Sequence, residues 1–137
     1  MRSMLLATAA ASLLLTACPG PGGGEACPQA FAGCQSLTDA TADGADRTIG
    51  FGEERGNNYA PKCLEVKKGQ TITFEGDFVL HPLEAACGTL ESTLASTIET
   101  GSNSTITFDQ AGDFGYFCTK HGTPAGTGMA GFIRVTN

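Results

Sequence analysis

The sequence predicts an all-β fold, a sandwich or barrel, from two observations that recur along it. Apolar and polar residues alternate over runs of four to six positions, the mark of a strand with one face buried and one face wet. Breaks rich in glycine, aspartate and lysine separate these runs at short intervals, and many short strands at such spacing close into a sandwich or barrel. No internal repeat is evident.

The elements follow in order. "KCLEV" (62–66) reads as a strand and "KKGQ" as the turn after it. In "TITFE" (71–75) Ile72 and Phe74 alternate with threonines, so one face is apolar. Gly76 and Asp77 precede "FVLH" (78–81), read as another strand. The stretch from Leu83 to Ile98 fits either a short helix or an irregular crossover. "STITF" (104–108) leads through "DQAGD" into "FGYFC" (114–118), and "GFIRV" (131–135) closes the chain.

Ahead of these strands the chain changes character. Arg2 is followed by an apolar run from Met4 to Leu15, the length of a secretory leader and too short to span a membrane. Leu15-Thr16-Ala17-Cys18 resembles the bacterial lipoprotein cleavage box. The expectation is a signal peptide over 1–17 and a lipid on Cys18, which anchors the chain to a membrane surface. Residues 18–46 are dominated by proline, glycine, alanine and small polar side chains. That is the composition of a disordered tether. The folded domain is expected over 47–137, small enough to gain from covalent staples.

Without the leader, seven basic side chains face fourteen acidic ones, a net charge of about −7. This argues against nucleic acid as a partner and mildly for a basic protein. Of six cysteines, Cys18 is set aside for lipid and Cys118 for chemistry. Cys27, Cys34, Cys63 and Cys87 remain, an even number suited to disulfides in an oxidising compartment. Three pairings are open. The favoured one joins Cys27 to Cys34 in a local loop and Cys63 to Cys87 around the segment of His81.

The chemistry concentrates in "YFCTKHGTPAGTGM" (116–129), which holds Cys118, His121 and Met129. With His81, the only other histidine, they form a thiolate, two imidazoles and a thioether. Soft sulfur stabilises Cu(I) while imidazole serves both copper oxidation states, so the set suits a copper ion that cycles. Zinc competes for Cys and His, but a closed zinc site takes four such donors. A cysteine protease needs an orienting third group beside its Cys–His pair, and the pair normally comes from distant segments. A disulfide-bonded sandwich with Cys118 merely buried is the remaining alternative.

These residues carry a resemblance. "YAPKCLEVKKGQTITFEGD", "LHPL" and "AGDFGYFCTKHG…GTGMAGFIRV" are similar to the cupredoxins, the blue-copper family that includes plastocyanin, pseudoazurin and amicyanin. The resemblance implies a Greek-key β-sandwich of about eight strands with copper at one end. It implies His81, Cys118 and His121 as equatorial ligands and Met129 as the axial one. Two departures stand out. Seven residues, 122–128, separate His121 from Met129, where plastocyanin has four, and Cys63 and Cys87 have no plastocyanin counterpart.

The function expected is that of a lipid-anchored, monomeric carrier of single electrons in the bacterial cell envelope, exchanging them with a redox protein such as a c-type cytochrome. The alternative is copper storage, delivery or resistance, for which a chain so poor in Met and His is ill suited. An enzyme is not expected, because no residues remain for a second metal centre.

Overall fold

A computed structural model describes residues 26–88, 94 and 96–137. Within them nine strands form two sheets. The first sheet takes the order β1 (Thr38–Asp39), β4 (Cys63–Lys67), β9 (Gly128–Thr136), β8 (Gly112–Gly122), β6 (Leu83–Cys87). The second takes the order β3 (Asn58–Ala60), β2 (Thr48–Gly52), β5 (Thr71–Glu75), β7 (Asn103–Thr107). The chain passes from sheet to sheet between β4, β5, β6, β7 and β8, and the result is a Greek-key β-sandwich.

Alternation places the core. Leu64 and Val66 of β4, Phe114 and Tyr116 of β8, and Ile133 and Val135 of β9 point inward from the first sheet. Ile49 and Phe51 of β2, Ile72 and Phe74 of β5, and Ile106 of β7 meet them from the second. Tyr116 packs edge-on against both Tyr59 and Phe74, with ring centroids 4.8 and 5.2 Å away. Burial pushes the phenols of Tyr59 and Tyr116 far above their ordinary range, so both stay neutral.

Several expectations need correcting. The run "FVLH" is a turn, not a strand: Asp77 Oδ1 accepts from the N–H groups of Val79 and Leu80 at 2.8 and 3.2 Å. This side-chain turn competes with strand pairing. The start of the 83–98 stretch is β6, paired antiparallel with β8, and the leader and Cys18 lie outside the described residues. Strands β2 and β3 were not foreseen; Gly50 and Gly52 interrupt the apolar alternation of β2.

The tether expectation fails from residue 26 onward. Phe31, Ala32 and Cys34 pack with Phe117, Ala130 and Phe132 on the outer face of the first sheet. Ala40 is 1 % exposed in the inner core, and the Arg47 guanidinium ties the connecting loop by donating to the carbonyls of Ala40 and Ala42. Phe31, with Leu37 packed beside the same cluster, supplies the bulk that the composition of this stretch concealed.

The disulfide pairing is also corrected: Cys27 bonds Cys87 and Cys34 bonds Cys63. Strands β4 and β6 lie three places apart in the sheet, about 14 Å at the usual strand spacing, beyond the Cα reach of a bridge, about 7 Å. An irregularity at Ala86 in β6 turns Cys87 from the face of Leu83 and Ala85 to the outer face, opposite Gly115. There the N-terminal segment lies, and each end of it is stapled to a different strand.

Candidate metal centre

Antiparallel pairing brings the start of β6, the end of β8 and the start of β9 to one end of the sandwich. His81 precedes β6, Cys118 and His121 lie near the end of β8, and Met129 opens β9. All four expected residues therefore meet at this end. Cys118 is fully buried, Met129 is 1 % and His81 2 % exposed, while His121 reaches the surface.

Three donors converge. His81 Nδ1 lies 3.1 Å from His121 Nδ1. Cys118 Sγ lies 3.6 Å from His121 Nδ1 and 4.0 Å from His81 Nδ1. Ligands bound to one first-row ion at about 2.0–2.3 Å stand roughly 3–4 Å from each other, so this spacing fits one ion. Among the described residues these three side chains form a cluster able to hold a metal.

The hairpin explains how Met129 comes to the same end of the sandwich despite the long loop. Pairing between β8 and β9 runs to Phe117↔Ala130, is interrupted, and resumes at Gly122↔Gly128. Four residues, 118–121, thus arch over the single residue Met129, which shares a buried cluster with Cys118. At the neck no side chain fits: a Cβ on Gly122 would overlap Met129 O, and one on Gly128 would overlap His121 O. Gly128 also has φ +69°, a region that glycine alone enters freely. The extra residues close into a turn beyond this neck, where Thr123 N–H and Gly126 N–H donate to Thr127 O and Thr123 O, both at 3.0 Å. The insertion extends outward and leaves Met129 in the core.

Burial, and next the neighbouring His121, lowers the pKa of His81 below the ordinary imidazole range, against the smaller pull of Glu53, Asp77 and Glu54. Its ring is therefore neutral near pH 7, the form that ligates. Phe51 meets that ring edge-on with centroids 6.1 Å apart. Asp77 is the residue that sequence reasoning missed: besides the turn made by its carboxylate, its carbonyl accepts from His81 N–H at 2.9 Å. An aspartate two to four residues ahead of a ligand is a signal for such a turn.

The cluster offers one Cys and two His, short of the four such donors of a closed zinc site, and a sulfur donor with imidazoles suits copper. The family model of copper-binding proteins of the plastocyanin/azurin family matches residues 46–136. Among solved structures, a reduced amicyanin variant is 24 % identical over 74 % of this chain and 92 % of its own, with a TM-score of 0.47. An oxidised amicyanin variant is 21 % identical over 84 % and 93 %, with a TM-score of 0.46. The metal-binding domain of a Streptococcus pneumoniae Cu(I)-exporting P-type ATPase is 14 % identical over 77 % and 100 %, with a TM-score of 0.48. No curated protein sequence matches the chain.

Proposed function

The chain belongs to the plastocyanin/azurin family of copper-binding proteins, and from that premise we propose that it carries single electrons between redox proteins outside the cytoplasm. His81, Cys118 and His121 would hold one copper ion, with Met129 as a weaker fourth donor. When bound, the metal supplies a reversible one-electron couple. The observation that carries the reading is the convergence of two imidazole nitrogens and the Cys118 sulfur within 4.0 Å at one end of the sandwich.

Each residue has a distinct task. Cys118 and His81 sit where water is excluded and the backbone is tied into β8 and the turn after Asp77, so the donors keep their places when charge changes. Low rearrangement favours fast transfer. His121 brings an imidazole edge to the surface, flanked by exposed Thr123, Pro124 and Ala125. On the His81 side, Pro82 is buried, while Val79 and Leu80 are 56 % and 48 % exposed. Such a face costs little to desolvate in a brief encounter. A net charge of about −7 in the mature chain supports a basic partner, such as a c-type cytochrome, steered over a range that salt shortens.

The same reading makes the protein a carrier and not an enzyme, acting as a single chain. The two disulfides favour an oxidising compartment. The Leu15-Thr16-Ala17-Cys18 box supports a lipid on Cys18 in the cell envelope of a bacterium. No helix of the described residues is long and apolar enough to cross a membrane.

Addition of Cu(II) to the purified protein is the test. One equivalent should bind, with an intense band in the red part of the visible spectrum, and cycle reversibly in a redox titration with the metal retained. Cys118→Ser should lose the band while keeping the fold. A coloured Cys118→Ser variant, or wild type that takes up no copper, would exclude this function.

A further inference from the structure

His81 is held in an unusual way. A ligating histidine is normally oriented by a partner on its other ring nitrogen. Here Nε2 of His81 is buried with no hydrogen-bond partner among the described residues. Burial secures only the start of the preceding turn, through Phe78, while Val79 and Leu80 put their side chains into solvent. From there to His81 the turn depends on hydrogen bonds. Asp77 provides them from within, through its carboxylate to Val79 and Leu80 and its carbonyl to His81.

Two further bonds come from across the site. Thr119 N–H donates to Pro82 O at 3.0 Å, extending the β6–β8 ladder past Leu83. Lys120 Nζ then reaches over to Val79 O at 2.7 Å. The two ties fall on either side of His81, and both come from the short segment between Cys118 and His121. A charged donor makes the stronger kind of hydrogen bond. We propose that Lys120 is a positioning residue that clamps the His81 turn to the Cys118–His121 segment, so that the three donors keep one mutual geometry. The claim about donors rests on the copper reading; the clamp itself does not.

The experiment compares Lys120→Met, which keeps the stem and loses the donor, with Lys120→Arg, which keeps charge and donor. In the apoprotein, amide exchange at Val79, Leu80 and His81 should quicken about five- to tenfold in Lys120→Met and stay within about twofold in Lys120→Arg. In the copper form at high salt, where the lost charge is screened, Lys120→Met should shift the reduction potential and broaden the electron paramagnetic resonance signal. Lys120→Arg should restore both. Unchanged exchange in Lys120→Met, or acceleration spread evenly over the chain, would overturn the clamp, as would an arginine variant that behaves like the methionine one. Faster exchange with an unaltered copper signal would overturn the positioning role. Wild type that binds no copper would sink the proposed function, while the exchange measurement still decides the clamp.

Discussion

The two faces of the five-stranded sheet are stabilised by different means. The inner face meets a second sheet, and aromatic and aliphatic side chains from eight strands interdigitate there. The outer face is covered by a segment with one 3-10 turn, Phe31–Gly33, and the two-residue strand β1. Strand β8 serves both: Phe114, Tyr116 and Cys118 point inward, Gly115 and Phe117 outward. A layer with few ladder bonds and six clustered buried residues repays little of the entropy lost in ordering it. Two disulfides supply what packing does not. A cleft of about 430 Å³ even remains beneath it, bounded by Cys27, Pro28, Gln35, Leu37 and the Asp113–Arg134 pair.

The contrast can be broken at three strengths. Phe74, 1 % exposed at the centre of the inner core, should cost about 3–5 kcal/mol when cut to alanine. Urea denaturation would measure this, and a loss under 1 kcal/mol would show that the two sheets do not depend on close packing. Replacing both Cys27 and Cys87 with alanine opens a link of sequence separation 60 and should cost about 2–4 kcal/mol. Limited proteolysis should then cut within 27–40 first, with copper binding retained. Cleavage elsewhere at the same time would mean that the two faces fail as one unit.

The mildest intervention sits between the faces. A Cβ on Gly115 would meet Cys87 Sγ and the Phe31 ring, the latter at 2.8 Å. Gly115→Ala should therefore cost about 1–3 kcal/mol, the usual range for overpacking. In the variant lacking Cys27 and Cys87 that penalty should shrink, because the obstacle is the stapled layer. An equal penalty in both backgrounds would place the clash inside β8 and its neighbours instead.

What was legible in the sequence follows the same division. TITFE, FGYFC and GFIRV alternate, and alternation survives into the structure as an inner and an outer face. The grouping of Cys118 and His121 with His81 was legible because the chain has two histidines, one of them three residues after a cysteine. Hidden were features that depend on distant partners or on single irregular residues. Phe31 looks isolated among small residues until Gly115 and Gly126 are seen to make room for it. The pairing of Cys87 turns on one displaced residue, Ala86, which no periodicity announces. Val79 and Leu80 resembled a strand because β-branched and apolar residues score that way, while one carboxylate at Asp77 decided otherwise.

The glycine neck of the β8–β9 hairpin has a consequence for change over time and by design. Residues 123–127 form a cap whose own hydrogen bonds close it, and the pinch at Gly122 and Gly128 isolates its length from the donors beneath. The tip can then be lengthened, shortened or exchanged as a separate module, altering which surface the protein presents to another molecule while the chemistry below keeps its settings.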